Sequence, residues 1–151
     1  MSKIKSFRAL MSHNSIDKVY LETIDGTTGY KIKKFELFPE KPGVNNSESL
    51  FQIFSIEASA NAQVGAVKVN FSDNTLLGVG YVGSSTDQRL ETAHHIVFDN
   101  IIFNQDIFIV YTDESTNNRP ANYHLELEQV KLDTNETVMA TLKDMRNTST
   151  T

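Results

Sequence analysis

The chain has 151 residues, a formal net charge of -5, and neither cysteine nor tryptophan. That length suits one domain with a core of its own, and the lack of cysteine excludes disulfide scaffolds, thiolate metal sites and thiol catalysis. The acidic balance argues against a dedicated nucleic-acid binder. No apolar run is long enough for a membrane-spanning helix, and the opening MSKIKSFRALMSHNS lacks the apolar centre of a signal peptide. The expectation is a protein made and kept in a cytosol, or in a particle assembled there, that engages neither nucleic acid nor membrane.

In chain order, residues 4–11 suit either a strand or a short helix, and residues 1–14 read as an N-terminal arm ahead of the folded body. KVYLETI, Lys18 to Ile24, reads as a strand closed by the turn pair Asp25-Gly26. YKIKKFELF follows; its apolar parity passes from Tyr30 and Ile32 to Phe35 and Leu37, which predicts a bulge near Lys33, and Pro39, Pro42 and Gly43 end it. Leu50 to Ile56 is nearly all apolar, as a central strand is. The small and polar run EASANAQVGA predicts a loop or a weak edge strand. Val67, Val69 and Phe71 alternate as a strand, Ser72-Asp73-Asn74 turns the chain, and LLGVGYV returns. Glycines 78 and 80 in that returning strand mark close approach of a neighbour. GSSTDQRLETA is a long polar connection and a candidate contact loop.

The last third has the strongest pattern. Ile107 to Tyr111 is a short unbroken apolar run rich in β-branched and aromatic residues, which predicts a strand buried on both faces. With the apolar residues from Val97 to Phe103 and the turn Asn104-Gln105-Asp106, it predicts a hairpin. After the loop TDESTNNRP, Tyr123, Leu125 and Leu127 alternate with His124, Glu126 and Glu128, the pattern of a strand with one wet face. The apolar parity then shifts to Val130 and Leu132, which predicts a second bulge near Gln129. Asp133 followed by Glu136 reads as a helix cap, with Val138, Leu142 and Met145 at helical spacing behind it.

These signals amount to eight or nine short strands and one terminal helix without βαβ alternation. The fold class expected is all-β: an antiparallel β-sandwich, jelly-roll or Greek-key like, over residues 15–132, with one short C-terminal helix over 133–146 and a tail over 147–151.

No residue pattern assembles a catalytic site. His94 and His95 are adjacent in a strand and point to opposite faces, so they cannot chelate one ion together. His124 lies on a wet face, and His13 sits in the N-terminal region. Asp25, Asp73, Asp87, Asp113 and Glu114 lack the acidic spacing of a calcium loop and read as solvated turn residues. Glu126 and Glu128 share a polar face, unlike the acid and base of a glycosidase. No G-x-S-x-G elbow occurs, and GVGYVGSS lacks the lysine of a phosphate loop. Lys31, Lys33 and Lys34 read as a solvated strand face. Tyr20, Tyr81 or Tyr111 lining a groove would make a carbohydrate-binding module, a reading from another class. No enzyme, cofactor or metal is expected.

FNQDIFIVYTD and, after a loop, NYHLELEQVKLDTNETVMATLKDMR resemble the C-terminal part of small virion structural proteins of marine tailed bacteriophages, including those of cyanobacteria. The resemblance covers roughly the last third of the chain and transfers no active site. It implies a non-enzymatic β-rich component of a capsid or its appendages and does not settle which; the function expected is a capsid decoration or cement subunit, with a tail or fibre-attachment subunit as the alternative. The partners implied are the major capsid protein or other virion proteins and further copies of the chain, with the virion as its location. Contact residues are expected in the arm, at Ile4, Phe7 and Leu10, and in the two polar loops, at Asp87 and Arg89 and at Asp113 and Arg119.

Overall fold

The computed structural model describes residues 3–21, 27–42, 46–65, 68–84, 92–98, 101–115 and 117–133. Among them run eight strands and one helix: β1 Lys3–Met11, β2 Ser15–Val19, β3 Thr28–Pro39, β4 Ser47–Phe54, α1 Glu57–Gln63, β5 Leu76–Ser84, β6 Thr92–Val97, β7 Ile107–Asp113 and β8 Ala121–Lys131. They form two antiparallel sheets, one ordered β1-β8-β3 and the other β2-β7-β4-β5-β6. The sandwich expected from the strand pattern is the fold. Its pairs are nested: β1 with β8, β2 with β7, β4 with β5.

The core lies between the sheets. Met11, Ile32, Phe35, Leu37, Tyr123, Leu125 and Leu127 from the first sheet meet Phe51, Ile53, Leu77, Val82, Ile107, Ile109 and Tyr111 from the second. Alternation sorts each strand: on β8 the odd residues from 121 to 127 are buried and the even ones half-buried. β7 is buried along its whole length. Its second face, through Phe108 and Val110, packs with Phe54, Ala60 and Leu76 in a smaller apolar cluster on the outside of the five-stranded sheet. α1 covers that face, which explains a strand with two apolar sides.

The bulge near Lys33 is present: Ile32 pairs with Leu127 and Lys34 with Glu126, leaving Lys33 as the extra residue. The expected bulge near Gln129 is absent. β8 runs in unbroken register up to Gln129 against β1 and past it to Lys131 against β3, and the parity changes because the strand is ending there. Leu132, just beyond, is buried and donates its N–H to Thr27 O at 2.7 Å.

Other expectations are corrected. Residues 3–11 are not an arm apart from the sandwich but an edge strand paired with β8 along its length. The second strand is shifted toward the N-terminus, from Lys18–Ile24 to Ser15–Val19. EASANAQ is helical. Its three alanines favour a helix, and the buried Ser59 and Ala60 are small enough to let its axis lie close on the sheet. Residues 68–72 form no strand, and Phe71 is exposed. The apolar stretch ahead of β7 is not the partner of β7 in a hairpin. β6 pairs with β5, and residues 101–106 cross between the sheets with one bridge, Tyr30 to Phe103. Phe103 is apolar there because it is buried in the core, not because it belongs to a ladder. The helix expected over 133–146 and the tail 147–151 lie, after Asp133, outside the described residues.

Glycines 78 and 80 do permit close approach. A Cβ on Gly80 would stand 2.8 Å from Leu37 Cδ1 and 3.1 Å from Phe35 Cε2 of the facing sheet, whereas one on Gly83 would meet only ordinary contacts with Tyr81. Gly80→Val is therefore expected to lower unfolding stability by about 1–3 kcal/mol through overpacking. Gly83→Ala should change it far less. Urea unfolding of the two variants, compared at equal m-value, checks this.

Candidate interaction surfaces

The loop after β7 is built around one carboxylate. Asp113 ends β7 and is only 2% exposed, so it is not the solvated turn residue that its loop setting suggested. Its Oδ1 accepts the backbone N–H of Glu48 at 3.0 Å, that of Ser115 at 3.0 Å and the Ser115 hydroxyl at 2.7 Å. Its Oδ2 accepts the N–H of Arg119 at 2.8 Å. Burial alone would raise its pKa, but these four donors favour the ionised form and the net shift is downward. The backbone N–H of Asp113 itself donates to His13 Nδ1 at 3.0 Å.

Around this centre the Tyr111 hydroxyl donates to the carbonyl of Arg119 and lies 3.1 Å from Ser49 Oγ. Burial is the main reason that the Tyr111 phenol is pushed up to about 12. Full burial also removes Tyr111 from any sugar-binding groove. The Asn117 amide donates to Asn46 O at 2.8 Å, so the loop is tied to the chain entering β4. Glu114 stays on the surface with its pKa raised by burial and by Glu48 and Asp113 nearby.

The second surface is the outer face of the three-stranded sheet. Register sets its side chains in rows, Arg8–His124–Glu36 and Leu10–Asn122–Phe38, with Ser6–Glu126–Lys34 and Ile4–Glu128–Lys31 beyond. The first two rows line an open groove of about 620 Å³. Lys31 pairs with Glu128 at 3.5 Å, Lys34 with Glu36 at 3.4 Å and His124 with Glu126 at 3.7 Å. Leu10 and Phe38 are 51% and 60% exposed.

The third surface is the β6 edge of the five-stranded sheet. Ile96, Val97 and the nearby Phe71, which packs edge-on against Phe98, are all exposed. His95 turns the other way from Ile96 and accepts the N–H of Leu37 at Nε2, 3.2 Å away. Burial lowers its pKa, which keeps that nitrogen free to accept.

Of the contact residues expected from sequence, Ile4 and Leu10 point outward from β1, and Phe7 packs half-buried against the core. Asp113 and Arg119 meet in the loop above, through carboxylate and backbone. Asp87 and Arg89 lie outside the described residues. The groove rows escaped sequence reading because three strands distant in the chain supply them. Their only signal was alternation, which marks a wet face without saying what stands beside it. Among the described residues no group of three His, Asp or Glu is placed to hold a metal ion. No helix there is long and apolar enough to cross a membrane. No protein-family model matches the chain, and no curated protein matches it.

Asp113→Ala is expected to destabilise the protein by about 2–3 kcal/mol, because it leaves buried donors without an acceptor. The carboxylate's native pKa lies below its unfolded value, so its contribution is complete above the unfolded value of about 3.9 and disappears as pH falls through the lower native one. Asp113→Asn should remove that acid-limb component. Thermal melts of both variants between pH 7 and pH 2 test it.

Proposed function

We propose that the protein is a non-enzymatic structural subunit of a tailed-bacteriophage virion, a decoration or cement protein that acts through contacts with the major capsid protein and with its own copies. The observation that carries this reading is the β6 edge. It ends the five-stranded sheet, its sequence TAHHIV has no lysine, acidic residue or proline, and Ile96 is 43% and Phe71 58% exposed beside it. An apolar edge of this kind invites pairing with another chain. The C-terminal resemblance to marine phage virion proteins supports the same reading, as does the acidic net charge, which keeps a shell's outer subunit from being drawn to the packaged genome. Nested pairing, with β3 touching β6, further supports a jelly-roll variant in which β6 joins the larger sheet instead of flanking β3. A tail or fibre-attachment subunit would use the same edge.

The test is light scattering of the purified protein, then co-sedimentation with empty capsids lacking it. The expected result is a closed oligomer that binds the shell at stoichiometric copy number. Ile96→Lys should reduce that binding by tenfold or more, on the order of a lost interface anchor, with little change in melting temperature. A monomer indifferent to shells would overturn the decoration reading, and retention on purified tails would replace it with the tail subunit.

A further inference from the structure

The groove on the three-stranded sheet has the chemistry of a ligand bed. Its floor is β8, the central strand, whose backbone is paired on both sides with β1 and β3. Recognition there falls to side chains, because an extended peptide would find no free ladder groups on the floor. Across that floor stand Arg8, His124 and Glu36 in one row and Leu10, Asn122 and Phe38 in the next. Adjacent strands are about 4.8 Å apart, so each row spans about 10 Å, the length of two sugar rings.

Charge separates the members of these rows. Glu36 is matched by Lys34, and His124 Nε2 lies 3.7 Å from Glu126 Oε1. Arg8 forms no ion pair among the described residues and is exposed at the groove wall. An arginine in that state offers a planar fork to a carboxylate. One row away, Phe38 presents an exposed ring and Leu10 an apolar wall, with the Asn122 amide between them as donor and acceptor. An apolar ring face, an amide and a carboxylate-seeking cation within one or two ring lengths match a pyranose that carries a carboxylate.

We propose that the outer face of the β1-β8-β3 sheet binds acidic saccharides of the uronic-acid class. Arg8 takes the carboxylate, Phe38 and Leu10 carry the apolar face of a ring, and Asn122 and Glu36 hydrogen-bond its hydroxyls. The site is on the opposite side of the sandwich from the sheet that bears the β6 edge, and it stands whether or not the protein belongs to a virion.

The experiment is calorimetric titration of the free full-length protein with hexamannuronate and hexagalacturonate, with neutral mannohexaose and hexaglutamate as comparisons. Saturable binding to at least one uronate is expected, about tenfold or more tighter than to mannohexaose. Arg8→Gln and Phe38→Ser, both at exposed positions, should each weaken it by about tenfold while far-UV circular dichroism stays unchanged. No binding of either uronate at millimolar concentration would overturn the proposal, as would binding that survives both substitutions. Hexaglutamate bound as tightly as the uronates, with no dependence on Phe38, would replace it with an acidic-peptide site.

Discussion

Two sheets become one body through four aromatic rings. Phe51 stacks on Tyr111 at 4.5 Å between ring centroids and meets Phe35 and Tyr123 edge-on at 6.2 Å each. Phe51 and Tyr111 are cross-strand partners in the larger sheet, whereas Phe35 and Tyr123 come from the smaller one. Offset and edge-on arrangements suit the ring quadrupoles, so the contact fixes how the layers sit as well as burying area. The two tyrosines also reach outward. Tyr111 donates to the carbonyl of Arg119 in the loop after β7, and Tyr123 donates to Asp17 of β2. Burial and the bond to Asp17 raise the Tyr123 phenol, which holds its proton as the donor role requires. The apolar joint thereby places the loop and an edge strand.

That joint sets conditions on its neighbours. The rings of β3 must come near β5, and Gly80 is where they do so: its missing side chain is the room occupied by Leu37 and Phe35. The free edge of β3 is then left beside β6 and the crossing segment. There Leu37 N–H is taken by His95, and Tyr30 exchanges both backbone bonds with Phe103, at 2.7 and 2.9 Å. Both are ways to satisfy buried backbone groups where no strand can be added.

What was legible in the sequence follows from how far each signal reaches. Ile107 to Tyr111 declares a doubly buried strand because both of its faces are apolar, and Lys33 betrays its bulge because parity on either side disagrees. The same parity argument fails at Gln129. A strand that is ending and a strand that is bulging leave the same trace in sequence, and only the register separates them. EASANAQ has no apolar stripe, since a helix of alanine and serine against a sheet needs none. Phe103 looks like part of a ladder because burial alone demands an apolar side chain there. Asp113 is the plainest lesson of this sort: an aspartate near a turn reads as solvated, and only the arrival of Glu48, Ser115 and Arg119 around it makes it a buried acceptor. The groove depended on pairings such as Phe38 with Asn122 and Arg8 with His124, between strands far apart in the chain, which no local period encodes.

The four sheet edges are treated unequally, and that inequality separates fold from function. β1 carries Lys3, Lys5 and Arg8, charges that oppose pairing with a foreign strand. β2 is five residues long and includes Asp17 and Lys18. β3 is occupied by His95 and Phe103. β6 has none of these devices, yet its inward histidine already serves the fold by closing β3, so the strand cannot be removed without exposing that edge. Its outward side, with Ile96, costs the isolated subunit exposed apolar surface and returns nothing within it. A feature that the fold does not need and that solvent penalises is where a neighbour's contribution belongs. On the described sheets such apolar exposure stands at Ile96 on β6 and at Leu10 and Phe38 on the outer face of β1 and β3, and of these strands only β6 carries no lysine, arginine or acidic residue.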